Sequence, residues 1–165
     1  MPKYNVLLHV EESENVKRIF ITRNSVLSVK LTCSQCREET PKYVFVDPNE
    51  EIAGDGGGMR NCIVKCPSCK ANTISVSIIK SAGKNEWRPE NNEADNVLVT
   101  LEVRGGDPSE FWVNDIWTVE AATEGDGEGK LFEGVDLSED WCEYDEDSQQ
   151  ALSLLGVSAS FTKIK

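Results

Sequence analysis

Apolar and polar residues alternate along short runs, and clusters of Gly, Asn, Asp and Pro separate the runs. Val29, Leu31 and Cys33 fall two apart, as do Val97, Val99, Leu101 and Val103. A period of two is the pattern of a strand with one buried face and one wet face. Runs rich in Val, Ile, Thr, Phe and Tyr predict strands over 3–11, 16–22, 26–33, 42–47, 60–66, 72–80, 96–104, 111–120, 130–136 and 151–162. Long amphipathic helical periodicity is missing. One helical candidate stands out, the acidic stretch 138–150, with Ser138 as its cap and Trp141 as its apolar contact. Segments 47–59, 81–95 and 123–129 carry the Gly, Pro and Asn of loops. The pattern predicts an all-β fold of antiparallel strands, sandwich-like or barrel-like.

A shift of 70 residues brings similar features into line. Val29 and Leu31 fall on Val99 and Leu101, and the glycine loop at 54–58 falls on the loop at 123–129. Cys33 and Cys36 fall on Val103 and Gly106, and Cys66 and Cys69 on Asp136 and Glu139. This describes two related β units, one bearing cysteines and one without them. Phe111, Trp112, Trp117, Phe132 and Trp141 would supply the core of the second unit.

Charge follows the same division. The chain of 165 residues carries 17 Lys and Arg against 29 Asp and Glu, a net −12. Residues 1–81 sum to +2 and residues 82–165 to −14. The expected organisation is a cysteine-bearing β unit at 1–81 and an acidic, aromatic-rich β unit at 82–165, packed as one globular body. An acidic surface repels phosphate backbones and anionic membranes, so nucleic acid and membrane partners are disfavoured. The N-terminus runs straight into alternating sequence without the apolar core of a secretory leader. A soluble monomer in the cytoplasm, with the nucleus as a second location, is expected, and a protein is the expected partner.

The single histidine, His9, lies in the run Val6-Leu7-Leu8-His9-Val10. Any Ser–His or Cys–His mechanism must use it. Its setting reads instead as an outward or edge-facing strand residue. One imidazole also rules out zinc sites built on several histidines.

Six cysteines carry the chemistry. Four form two Cys-x-x-Cys pairs, Cys33-Ser-Gln-Cys36 and Cys66-Pro-Ser-Cys69. Two intervening residues make a tight knuckle that turns both sulfurs to one side, and two knuckles surround one zinc ion at about 2.3 Å. Arg37, Lys65 and Lys70 flank the pairs and would offset the net −2 of Zn²⁺ with four thiolates. The 29 residues between the pairs exceed the usual ribbon spacing, but they hold two strands and a Gly-rich loop. A thioredoxin-type redox pair would need a βαβ context, and disulfides would need an oxidising compartment. Buried free thiols are the plainest alternative. Cys62 reads as a buried strand residue, with a replacement ligand or sensor thiol as the other reading, and Cys142 has no partner nearby in sequence.

Four sulfurs close the zinc shell, which makes the metal structural rather than catalytic. There is no His-x-Glu motif, and Lys65 stands where a deaminase has proline. Gly54–Gly58 lacks the Gly-Lys-Ser/Thr of a phosphate loop, and 124–129 lacks the carboxylate spacing of a calcium loop, so both read as hairpin turns.

The blocks Leu31-Thr-Cys33-x-x-Cys36-x-Glu38, Lys65-Cys66-x-x-Cys69, Leu101-Glu-Val-Arg104-Gly105 and Val135-Asp136-Leu137-Ser-Glu139-Asp140-Trp141-x-x-Tyr144-Asp145-Glu146 together span most of the chain. In this order the sequence resembles the eukaryotic CXXC-motif-containing zinc-binding protein family. The resemblance implies a small all-β protein of two related units, with zinc held by Cys33, Cys36, Cys66 and Cys69. It implies no reaction. This chain departs from the family pattern at Val103-Arg104-Gly105-Gly106 and in its Gly-rich loop. The expected function is a non-catalytic interaction module with a structural zinc. The alternative is a metal-handling or thiol-redox protein. A third reading uses Asp140, Asp145 and Glu146 as acid–base groups.

Overall fold

The computed structural model describes residues 2–54, 58–79, 85–124 and 127–164. The 81/82 boundary, Asp55–Gly57 of the glycine loop and Gly125–Asp126 of the later loop lie outside the described residues. The strands of the first half are β1 (Lys3–Glu14), β2 (Val16–Ile21), β3 (Leu27–Cys33), β4 (Val44–Val46), β5 (Ile52–Ala53), β6 (Met59–Arg60), β7 (Cys62–Lys65) and β8 (Thr73–Ile79). Those of the second half are β9 (Val97–Arg104), β10 (Gly106–Phe111), β11 (Trp117–Ala121), β12 (Leu131–Val135), β13 (Trp141–Asp145) and β14 (Gln150–Ile164). A single 3₁₀ turn, Glu93–Asp95, is the only helical element among the described residues.

All named strand pairings are antiparallel. A six-stranded sheet runs β13-β14-β1-β9-β8-β7, beside three-stranded sheets β10-β3-β4 and β12-β11-β2 and the hairpin β5-β6. Alternation places the core. Tyr4, Val6 and Leu8 of β1, Leu101 and Val103 of β9, and Ile74 and Val76 of β8 are buried, as are Leu27, Val29, Leu31 and Cys33 of β3. Burial of these side chains at about 1.5–3 kcal/mol each drives the sheets together. Pairing crosses the midpoint of the chain, since β1 lies between β14 and β9 and β8 pairs with β9. The 70-residue shift lays β3 on β9 and β7 on β12, yet the neighbours differ. β3 lies between β10 and β4, whereas β9 lies between β1 and β8.

Three expectations are corrected. The helix over 138–150 is absent: Trp141–Asp145 is strand β13, paired with β14 from Trp141↔Leu154 to Asp145↔Gln150. A helix there would stack Glu139, Asp140, Glu143 and Asp147 on adjacent turns, where like charges repel. The hairpin instead gives the carboxylate of Asp145 a turn to hold, accepting Asp147 N–H at 3.0 Å and Ser148 Oγ–H at 2.6 Å. Ser138 donates to Asp136 rather than capping a helix. The strand over 111–120 is broken, because Phe111 ends β10 in one sheet and Trp117 begins β11 in another. β10 tolerates Pro108 because it is an edge strand with a register shift between Pro108 and Glu110. Of the aromatics expected in the core, Trp117 and Phe111 are buried and sit 6.3 Å apart, but Trp112 is 41% exposed and stacks on Tyr43.

Glu86, Glu120 and Asp145 are buried carboxylates among the described residues. Glu120 of β11 is 2% exposed and accepts from Arg18 Nε at 2.8 Å, with Lys17 Nζ at 3.3 Å. Burial opposes its ionisation, but Arg18, the Gly129 N–H and Lys17 outweigh it and hold its pKa below the ordinary carboxylate value. A lowered folded pKa stabilises the fold above the unfolded pKa of about 4.3, and that contribution is lost as pH falls through the folded value. Glu120→Gln is therefore expected to lose about 2 kcal/mol at pH 7. Its deficit against the wild type, read from urea midpoints, shrinks below about pH 4. An equal deficit at all pH values would show that the carboxylate charge is not what stabilises this site.

Candidate metal centre

The two Cys-x-x-Cys pairs fold into matching knuckles. In the first, Arg37 N–H donates to Cys33 C=O at 3.0 Å and Cys33 N–H donates to Glu38 C=O at 3.0 Å. In the second, Lys70 N–H donates to Cys66 C=O at 3.0 Å and Cys66 N–H donates to Asn72 C=O at 2.8 Å. Arg37 and Lys70, the residues just after each pair, both adopt left-handed backbone, with φ of 64° and 56°. This conformation closes each turn and exposes successive N–H groups to the sulfurs.

The knuckles come from different sheets. Cys33 ends β3, in a three-stranded sheet, and Cys66 follows β7, the edge of the six-stranded sheet. The four sulfurs lie within 4.8 Å of one another. Cys33 Sγ is 3.9 Å from Cys69 Sγ, and Cys36 Sγ is 3.6 Å from Cys66 Sγ. Disulfide sulfurs lie about 2.05 Å apart, so these are not bonded pairs. A tetrahedron of thiolates about 2.3 Å from a zinc ion has edges of about 3.8 Å, and the observed spacings fit it. Cys33 and Cys66 are buried, while Cys36 and Cys69 are half-buried.

Hydrogen bonding prepares the sulfurs for a cation. The Cys36 N–H and the Asn72 side chain, against burial, bring the Cys33 thiol down to about 6. The N–H groups of Ala71 and Asn72 likewise lower Cys69. The Glu38 N–H favours the Cys36 thiolate, but burial and the neighbouring Cys66, Cys33 and Cys69 sulfurs push this thiol up to about 11. Four crowded thiols cannot all ionise alone, and a divalent cation removes the conflict.

Asn72 is the functional residue that sequence reasoning missed. Its Nδ2 donates to Cys33 Sγ at 3.3 Å and to Gly105 C=O at 2.6 Å. The same carbonyl of Gly105 accepts Ser34 N–H at 3.1 Å. The elbow between β9 and β10 thus braces both knuckles. Gly105 has φ +83°, and a Cβ there would lie 2.3 Å from the Thr73 carbonyl oxygen. The available signal was Gly105 in the block Leu101-Glu-Val-Arg104-Gly105, read as part of a family pattern and not as a brace for the knuckles.

The other candidates lie elsewhere. Cys62 is buried on β7 outside the cluster, and Cys142 is exposed on β13. Of the flanking cations, Arg37 leans toward Asp107 at 3.9 Å, while Lys65 and Lys70 are exposed. His9 Nε2 lies 2.6 Å from Ser160 Oγ and Nδ1 lies 3.6 Å from Glu93, and His9 is not among the clustered metal-ligating groups. Asp140 accepts the Gly156 N–H at 3.0 Å and Asp145 caps its own hairpin, so these carboxylates serve turns rather than a shared site.

An antiparallel β protein whose two Cys-x-x-Cys pairs converge at thiolate–metal spacing belongs to the zinc-binding class. Residues 6–162 match the family described as CXXC motif containing zinc binding protein, eukaryotic, and the chain belongs to that family. Among its relatives, the human CXXC motif containing zinc binding protein is 31% identical over 137 residues, covering 82% of each chain. The UPF0587 protein of Dictyostelium discoideum is 29% identical over 156 residues, covering 93% of this chain and 94% of its own. The crystal structure of C1orf123 superposes with a TM-score of 0.85 at 27% identity, over 98% of this chain and 99% of that one. A hypothetical protein from Plasmodium falciparum shares the fold, with a TM-score of 0.82 at 19% identity, over 98% and 100%. Among the described residues no helix is long and apolar enough to cross a membrane.

Proposed function

We propose that Cys33, Cys36, Cys66 and Cys69 hold one zinc ion whose work is structural, and that the protein is a non-catalytic module for binding another protein. The observation that carries this reading is the origin of the thiols. They join the end of β3 to the edge strand β7, two elements of different sheets. When bound, zinc supplies four coordinate bonds that cross-link those sheets and leaves no position for a substrate. The acidic surface favours a protein partner over nucleic acid, and cytoplasm or nucleus suits four reduced thiols.

Protein purified without added metal is expected to carry one zinc per chain. Titration with a chelator, followed by far-ultraviolet circular dichroism, is expected to remove metal and β structure together. The competing reading, metal transfer, draws on the half-buried Cys36 and Cys69, one per knuckle, which give an acceptor thiol access. Rapid loss of zinc with the β spectrum intact would overturn the structural role in favour of transfer.

A further inference from the structure

Beside the zinc knuckles, the hairpin β5-β6 folds over the outer face of the six-stranded sheet. Asn61 anchors it: its N–H donates to Val76 C=O at 3.0 Å, its Oδ1 accepts Ile78 N–H at 2.8 Å, and its Nδ2 donates to Glu50 C=O at 2.9 Å. Between hairpin and sheet lie two adjoining cavities of about 430 and 450 Å³, and Arg60 and Arg104 line both. The first is also lined by Ile63, Thr73 and Ser75, with no carboxylate among the described lining residues. The second adds Asn61 and Ser77 together with Glu51 and Glu102.

The register explains why these groups converge. Ile63 pairs with Ser75 and Ser75 pairs with Arg104, so the three share one face of adjacent strands. Lys65 stands opposite Thr73 and adds a third cation to that face. Arg60 lines the cavity from the hairpin, with Gly54 and Gly58 beside its side chain. A Cβ on Gly54 would lie 3.3 Å from Arg60 Cγ, and one on Gly58, at φ +84°, would lie 3.0 Å from Arg60 Nη1. At Gly54 and Gly58 the missing side chain leaves room for the Arg60 guanidinium.

We propose that Arg60 and Arg104 clamp the phosphate group of a ligand. Two guanidinium forks and the hydroxyls of Thr73 and Ser75 match the several acceptors of a tetrahedral dianion. Glu102 Oε1 accepts from both Nε and Nη2 of Arg104 at 3.3 Å each. In a chain of net −12, the first cavity, with two arginines and no carboxylate among its described lining residues, is a local exception to the acidic surface. The inference deepens the protein-binding reading by giving the partner's chemistry, and it needs no change in the role of zinc.

The test uses the full, zinc-loaded chain. Inorganic phosphate, a phosphoserine peptide and its unphosphorylated counterpart are titrated while NMR follows the backbone and the arginine Nε–H signals. Saturable shifts centred on Arg60, Thr73, Ser75 and Arg104 are expected with both phosphate compounds and not with the bare peptide. Arg60→Gln and Arg104→Gln are each expected to weaken binding about tenfold or more, and Arg60→Lys less. Zinc content and the circular dichroism spectrum should stay unchanged in Arg60→Gln, which alters only the hairpin. Tighter binding of the phosphopeptide than of phosphate supports a phosphorylated protein as the source, and equal binding supports a free phosphate compound. No saturable shift up to about 10 mM phosphate, or shifts that survive Arg60→Gln and Arg104→Gln combined, would overturn the clamp. Such a failure with zinc-dependent folding intact would leave the structural role of zinc standing.

Discussion

Cys66→Ser is expected to yield a chain that neither retains zinc nor holds its β structure at neutral pH. A serine hydroxyl stays protonated where a thiol gives up its proton to the metal, so the shell loses one of four anionic ligands. Structural zinc supplies about 10–16 kcal/mol of binding free energy, and that energy is folding energy. A domain of this size is stable by about 5–15 kcal/mol in total, so losing even half of the metal's contribution unfolds it. The position makes the loss non-local, because Cys66 is buried beside the core cluster and its knuckle meets the one that ends β3. Zinc content by elemental analysis and a urea melt followed by circular dichroism would check this. Cys142→Ser, at an exposed thiol outside the cluster, is the matched control and should change neither. A Cys66→Ser protein with a cooperative, wild-type-like melt would show that the sheets hold together without the cross-link.

Gly105→Ala carries the second largest expected effect, although Gly105 contributes no sulfur. A Cβ at this position meets the Thr73 carbonyl oxygen at 2.3 Å, and φ is +83°. The clash is with backbone, which has no rotamer to retreat into. Left-handed strain and overpacking each contribute about 1–3 kcal/mol, so a loss of about 3 kcal/mol or more is expected. Relieving the clash also moves the Gly105 carbonyl, which accepts Ser34 N–H and Asn72 Nδ2 and so orients the Cys33 knuckle. Zinc affinity should fall with stability. Asn72→Ala separates the two effects: supporting hydrogen bonds of this kind are worth about 10–100-fold in metal affinity, with less loss of stability than Gly105→Ala. Gly134→Ala provides the contrast, since φ is +67° but an added methyl would have nothing within 4 Å of it. Its cost should be about 1 kcal/mol, from backbone strain alone. Equal costs for Gly105→Ala and Gly134→Ala would rule out the close packing against Thr73 as the cause.

Much of the β architecture was legible because alternation is a local code. Leu27–Cys33 and Val97–Arg104 show their buried faces in the order of their side chains, and the structure places strands there. Where local signals misled, a partner strand prevailed. Trp141–Asp145 lies in an acidic stretch without alternation, but it pairs with β14 and turns through the Asp145 cap. Gly106–Phe111 contains Gly and Pro, poor strand formers, yet β3 offers it an edge.

The cysteine spacing by itself determined two knuckles, because closing such a turn involves residues only a few apart: Cys33 bonds through its backbone to Arg37 and Glu38. Alternation by itself determined which side chains face inward, and hence the all-β class. Neither determined that β3 and β7 would come from different sheets, or that Asn72 and Gly105 would brace the sulfurs. Nor did they place Arg60 of a hairpin over Arg104 of a central strand. Those juxtapositions depend on strand partners distant in sequence. Backbone hydrogen bonding between strands is blind to side-chain identity, so only the packing of the whole core selects the register that brings them together.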